Sequence, residues 1–434
     1  MSSSNISSLQ IFQVIRYGTL IMIGVGLAKL GIIPSDIGRF ETFLLWSGLL
    51  TFFWVSGIIN ALMTNYGKSD TEAQNRLFFS TFLVLSAVGV LMGTILFLFS
   101  SFVTELAGIQ LESSILRLVS IYILFNTPGF LIEYILWLKN KREGLLYYGL
   151  LLSFSMMVAT LLPVGLNLPI EYSLYGLLAI AVLKFLIVFM LLWRYSLYSI
   201  DFKQISILLF TAIPMVLSIL ISGSSEYIDG LIVKARFDNM HFAIYRYGAK
   251  ELPVLLIIAN TFSTAMIPAL AGNLTGGLGQ LRQKSTSLMR WFFPLSMLLM
   301  LLSPVLFKHL FNESFIYSSL IFNIYLLLVI PRLVFPQTIL TAMGHGKYLV
   351  VSSILEITIN VSLSIYLSGI MGLPGIAAGT LVAFCVDKAF LILVARYKYG
   401  IHLSSYLKIW EYALFSGAAL VCFAISVYLL QHLG

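Results

Sequence analysis

The stretch AIYRYGAKELP, residues 243–253, sets Arg246, Lys250 and Glu251 within six positions of an otherwise apolar neighbourhood. On a continuous helix Arg246 and Lys250, four residues apart, share one face and repel each other. Two stacked cations at membrane depth require an anionic partner. Two partners fit the residue types. Glu226 and Asp229, just upstream, could neutralise the pair, or an anionic substrate group could be gripped by it. The readings are compatible, because carboxylates can hold the cations until a substrate arrives.

The same question extends along the chain. Lys29, Arg117, Lys184, Arg332 and Lys388 are further bases inside apolar runs, and Glu133, Glu356 and Asp387 are further acids there. Each charge at the centre of a membrane helix costs on the order of 2.5–3.5 kcal/mol, so such residues mark function or pairing. By depth, Lys184, Arg332 and Asp387 with Lys388 fall mid-span. Arg117 and Lys29 lie near enough to an interface to extend their head groups to water. Glu133, Glu356 and Asp387 are the deepest carboxylates and the candidates for taking up H+ or Na+, since a buried carboxyl exchanges a proton near neutral pH. For Asp387 a fixed pairing with Lys388 is the plainer role.

These residues need a membrane to be positioned in. Of 434 residues, 59% are hydrophobic and 10% charged, and the mean hydropathy is +0.97; soluble domains carry about 25% charged residues. Apolar runs long enough to span, roughly 20 residues each, recur at 9–32, 41–66, 75–101, 115–138, 143–166, 171–195, 204–235, 239–271, 285–308, 315–341, 348–370, 373–396 and 407–432. The expectation is therefore an all-α polytopic protein of about 12–13 transmembrane helices. MSSSNISSLQ lacks the basic start of a cleaved leader, so the first run stays as a span. Basic residues divide unevenly between the connections. Fourteen fall on one side (Lys68, Arg76, Lys139, Lys141, Arg142, Arg194, Lys203, Arg282, Lys284, Arg290, Lys347, Arg396, Lys398, Lys408) and four on the other (Arg39, Lys234, Arg236, Lys308). That asymmetry places the N-terminus in the cytoplasm. The net charge of +8 is accounted for by these loops, so nucleic acid is not a partner.

The chain also repeats itself. PGFLIEYILWLKNKREGL (128–145) aligns with PRLVFPQTILTAMGHGKY (331–348), and KFLI at 184–187 recurs as KAFLI at 388–392. The offsets lie close to 204 residues, or six spans. An even number of spans makes a parallel repeat, which sets two lobes about an axis along the membrane normal with a shared cavity. The expected division is 1–200, 201–400, and an extra C-terminal span in 401–434.

Other chemistry is missing. GNLTGGLGQ (272–280) has no GK[ST] ending and reads as a linker rather than a phosphate-binding loop. The histidines show no metal-ligand spacing, no nucleophile elbow occurs, and no cofactor is expected. Cys385 and Cys422 both read as small buried side chains rather than a disulfide. GIAAG (375–379) is a small-residue helix-packing motif.

GHGKYLVVSSILEITINVSLSIYLSGIMGLPGIAAGTLVAF (344–384), with Asn360 mid-span, resembles the polysaccharide-export branch of the multidrug/oligosaccharidyl-lipid/polysaccharide exporters. AIYRYGAKELPVLLIIANTFSTAMIPAL resembles their eighth span. The resemblance covers the chain to about residue 400, and the thirteenth span departs from relatives with twelve or fourteen. It implies two six-helix lobes, alternating access, and a cationic cavity for polyprenyl-diphosphate-linked sugars, with Arg246 and Lys250 where relatives carry basic cavity residues. It also implies a bacterial cytoplasmic membrane, membrane lipid and a polysaccharide polymerase machinery as partners, and a role in surface polysaccharide biosynthesis, lipopolysaccharide included. A cation-coupled drug exporter of the same superfamily is the alternative, disfavoured by the surplus of intramembrane bases. A glycan-polymerising enzyme is weaker still, because the longest outer connection, 101–114, is about 14 residues. The expectation is a transporter and not an enzyme.

Overall fold

Helices with tryptophan, phenylalanine and leucine facing outward are stable only where lipid, not water, surrounds them. The computed structural model, which describes residues 3–67, 69–106, 113–250 and 253–433, has that character throughout. Trp410 is 88% exposed, Phe210 82% and Trp193 77%. The outward face is apolar, and the protein is a multi-pass membrane protein.

In chain order the helices are α1 (Ser3–Lys29), α2 (Pro34–Leu49), α3 (Phe52–Tyr66), α4 (Thr71–Leu106), α5 (Ser113–Gly129), α6 (Leu131–Leu138), α7 (Arg142–Gly165), α8 (Ile170–Tyr195), α9 (Phe202–Gly223) and α10 (Ser225–Arg236). There follow α11 (Asn239–Gly248), α12 (Pro253–Gly272), α13 (Leu274–Leu310), α14 (Ser318–Leu326), α15 (Val329–Arg332), α16 (Pro336–Ala342), α17 (Lys347–Met371), α18 (Leu373–Tyr399), α19 (Leu403–Tyr406) and α20 (Ile409–Leu433). No strand occurs among the described residues. Ten of the helical segments among those residues are long and apolar enough to span, or twelve if the bent pairs α2–α3 (45°) and α14/α15–α16 (43°) each count as one. The second bend has a plain cause. Pro336 opens α16 and cannot donate to the preceding turn.

Three sequence expectations change. The run 204–235 is two helices, α9 and α10, and the run 239–271 is also two, α11 and α12. Pro253 starts α12, consistent with proline's place in a first helical turn. The glycine-rich stretch 272–280 is not a linker but the start of α13, whose N-cap Asn273 accepts a hydrogen bond from the Gly276 amide at 3.0 Å. Three glycines, 276, 277 and 279, lower helix propensity there, and the side-chain cap supplies the start signal. Finally, Cys385 is exposed and Cys422 half-buried, both as free thiols. Cys385 is not a core side chain.

The chain forms two compact units. One takes the chain up to Tyr227 together with Lys234–Phe242, and the other takes Ile228–Val233 and the chain from Ala243 on. In the first, α3 packs on α9, α4 on α5, α1 on α7, and α5 and α7 on α8. In the second, α17 packs on α18, α13 on α20 and α12 on α13. The two units repeat local geometry at matching positions. After α6 the amides of Lys139 and Lys141 donate to Ile135 and Leu136, and Asn140 has φ +56°. After α16 those of Met343 and His345 donate to Ile339 and Leu340, and Gly344 has φ +75°. Both are left-handed helix stops, 204 residues apart. Close helix crossings repeat as well. A Cβ on Gly176 would lie 2.5 Å from the Ala159 carbonyl oxygen, and one on Gly379 2.8 Å from the Ser364 amide nitrogen.

Candidate functional site

A base inside a helix bundle needs room for its stem and a partner for its head. In the first unit α5 supplies both for Lys184 of α8. Gly129 leaves space where a Cβ would lie 2.9 Å from the lysine Cβ and Cε. The Lys184 ammonium donates to Asn126 Oδ1 at 2.7 Å and lies 4.6 Å from the Phe130 ring centroid. Both partners are neutral. Glu133 of α6 is buried and pairs with Arg16 of α1 at 3.6 Å, while the Lys184 charge also acts on it. Two bases thus act on one carboxylate, Arg16 by an ion pair and Lys184 from nearby. Exposure divides the roles. The Arg16 side chain is 37% exposed against 9% for Glu133, so the arginine is the open side of the pair and the carboxylate the enclosed one.

Arg16 was absent from the sequence candidates. The sequence signal for it is a lone arginine inside the apolar run IFQVIRYGTLIMIG. Position 204 beyond Glu133 is Gln337, and 204 beyond Lys184 is Lys388. In the second unit the Lys388 ammonium donates to Gln337 Oε1 at 3.3 Å and pairs with Asp387 at 3.1 Å. The lysine is thus repeated, while its hydrogen-bond partner changes from Asn126 to Gln337, the counterpart of Glu133, and a carboxylate stands beside the lysine in the chain. Asp387 is buried, and its pairing with Lys388 is the plainer of the two roles expected for it.

The second unit holds a different polar centre. Asp229 of α10 is buried, and its Oδ2 accepts hydrogen bonds from the hydroxyls of Tyr325 (α14) and Thr380 (α18), each at 2.6 Å. The hydroxyls of Tyr245 (α11) and Tyr325 are 2.8 Å apart, and Asn360 Nδ2 of α17 donates to Thr380 Oγ1 at 3.2 Å. Oδ1 accepts no hydrogen bond, although Asn360 and Tyr245 are both near the carboxylate. Five helices meet here. Gly379 makes the meeting possible, since the close α17–α18 crossing brings Thr380 against Asn360.

This corrects the expected pairing around AIYRYGAKELP. Asp229 is held by hydroxyls, not by an ion pair with Arg246 or Lys250. α11 ends at Gly248, so Lys250 lies beyond it and the two bases do not stack on one helical face. The stop has a steric side: a Cβ on Gly248 would lie 2.4 Å from the Ser318 carbonyl oxygen. Arg246 is half-buried, and the Lys250 ammonium lies 5.0 Å from the ring centroid of Tyr247, itself stacked on Phe315. The Glu226 side chain and all of Glu251 lie outside the described residues.

The remaining candidates are dispersed. Arg332 closes α15 and covers the Phe384 ring at 4.5 Å. Glu356 is half-buried in α17. Arg117 is exposed, with its Nε 3.5 Å from Ser100 Oγ, and Lys29 is exposed at the end of α1. Lys234, expected in a loop, is instead 2% exposed within α10, beside Asn239 and the Phe242 ring.

No family model and no curated protein matches the chain. Solved structures do match. Lipid II flippase MurJ in an inward closed conformation is 15% identical with a TM-score of 0.72, over 98% of this chain and 96% of that one. A variant of the Vibrio cholerae MATE transporter VcmN is 14% identical with a TM-score of 0.54, over 93% and 99%. A MOP superfamily transporter from Pyrococcus furiosus is 13% identical with a TM-score of 0.52, over 95% and 94%. At these identities the likeness is one of fold.

Proposed function

We propose that the protein is a flippase for polyprenyl-diphosphate-linked oligosaccharide, working by alternating access between two lobes, 1–200 and 201–400, with a further span in 401–434. The observation that carries the reading is the gathering of Arg16 and Lys184 on the one carboxylate of Glu133. A drug exporter for cations has no use for two bases gathered on one acid, whereas a diphosphate carries two or more negative charges. Arg16 grips phosphate oxygens in bidentate fashion and Lys184 acts as a point charge. Arg246, Lys250, Arg332 and Lys388 are the further bases offered to the substrate. Arg117 and Lys29, exposed near helix ends, meet it at the interface.

Asp229 is the coupling carboxylate in this proposal. An oxygen without a hydrogen bond, ringed by hydroxyl and amide groups, suits H+ or Na+. Glu133 then holds Arg16 and Asp387 holds Lys388, Glu356 is a further carboxylate within α17, and Glu226 lies one turn before Asp229. The setting is a bacterial cytoplasmic membrane with the N-terminus inside, and the product feeds surface polysaccharide assembly. The fold likeness to a lipid II flippase supports a lipid-linked cargo, and the likeness to MATE transporters keeps an ion-coupled multidrug exporter as the second reading. Binding separates them. Titrated in detergent, the full chain should take up a polyprenyl-diphosphate saccharide and ignore organic cations, and Arg16→Gln with Lys184→Gln should abolish that uptake. Uptake of organic cations with no uptake of the diphosphate lipid overturns the flippase reading.

A further inference from the structure

Two lysines are held against one tyrosine ring where α17 begins and α18 ends. Lys347 lies 5.4 Å and Lys398 4.9 Å from the Tyr348 ring centroid. His345, in the turn before α17, stacks on Tyr399 at 4.3 Å and 20°. The Tyr348 ring stands at 74° to that of Tyr399 and at 67° to that of His345. Arg396 lies one turn back on α18, over Tyr397. The ion pairs of the described residues involve none of Lys347, Arg396 and Lys398, and all three are exposed.

Like charges gathered on a surface with no acid among them repel and favour an anion between them. The aromatic frame limits how far the lysines can spread apart. Depth identifies the anion. The cluster closes two candidate spans, Lys347–Met371 and Leu373–Tyr399, so it lies at headgroup level, where tyrosines sit with their rings toward acyl chains. Basic sites between helix ends take anionic lipid headgroups on the cytoplasmic side of a membrane, the side on which the basic-loop asymmetry is expected to put Lys347, Arg396 and Lys398. We propose that His345, Lys347, Tyr348, Lys398 and Tyr399 form a binding site for the headgroup of one anionic phospholipid, its phosphodiester between the two ammonium groups and its acyl chains along α17 and α18. The site is independent of the transported cargo.

Native mass spectrometry of the full chain in detergent, with equal phosphatidylglycerol and phosphatidylcholine added, reads this directly. The wild type should retain phosphatidylglycerol with a preference of roughly tenfold, and Lys347→Gln with Lys398→Gln should lose one tightly held lipid per chain. Lys347→Arg with Lys398→Arg should keep it, which separates loss of charge from loss of fold. Equal retention by the glutamine variant and the wild type overturns the proposal. So does displacement of the lipid by millimolar inorganic phosphate, which would make this a free-phosphate site.

Discussion

Glu133→Gln removes the one carboxylate shared by Arg16 and Lys184 while keeping its shape. At 3.6 Å and an effective dielectric near 20, the Arg16–Glu133 attraction is about 4–5 kcal/mol. Water returns part of that, because the Arg16 side chain is 37% exposed. A fully exposed pair is worth at most about 1 kcal/mol, and breaking a fully buried one costs about 3–5 kcal/mol. This pair is buried on one side only, so Glu133→Gln should cost about 2 kcal/mol. Arg16→Gln should cost less, because Glu133 keeps the charge of Lys184 nearby. The double variant should then be more stable than the sum of the singles predicts, with a coupling of about 2 kcal/mol. For a unit of this size that corresponds to a Tm change of about 4–8 °C. Thermal unfolding of the purified protein in detergent, followed by tryptophan fluorescence, measures it. Strict additivity of the two substitutions, within about 0.5 kcal/mol, would show that Arg16 and Glu133 do not act as a pair and would remove the charge argument.

Three further outcomes follow from named contacts. Gly379→Leu places a side chain against the Ser364 backbone, so it should cost about 2–3 kcal/mol of stability and abolish ion dependence by separating Thr380 from Asn360; thermal unfolding with and without Na+ reads both. Asp229→Asn should leave the folded protein intact but remove the dependence of transport on Na+ or pH, and unchanged dependence would exclude Asp229 as the coupling group. Cys385, exposed midway along α18, should react with a membrane-permeant maleimide and resist a charged one, as measured by mass shift in intact vesicles.

The membrane-spanning helices were legible because hydropathy depends only on local composition. The internal repeat was legible too, since the same stop signal recurs near Asn140 and Gly344. Breaks inside apolar runs were not. Nothing in hydropathy separates α9 from α10, and the run 239–271 looked continuous although Pro253 and Gly248 both punctuate it. The glycines at 276, 277 and 279 suggested a linker, whereas Asn273 caps a helix across them. The Asp229 centre could not be assembled from sequence at all. Its hydroxyl donors lie 96 and 151 positions away, and tyrosine and threonine in apolar helices are too common to stand out. Arg16 shows the opposite failure: a single base mid-span is a strong signal by its energetic cost, and pairing it with Glu133 needed only the third dimension.

The most direct test is flipping itself. Full-length protein in liposomes, given a fluorescent polyprenyl-diphosphate oligosaccharide on one leaflet, is followed by a membrane-impermeant quencher. The wild type should move the lipid across, and Lys184→Gln and Arg16→Gln should each slow that movement at least tenfold while remaining folded. Movement at the wild-type rate in both variants, or none by the wild type under any Na+ or proton gradient, would contradict the account.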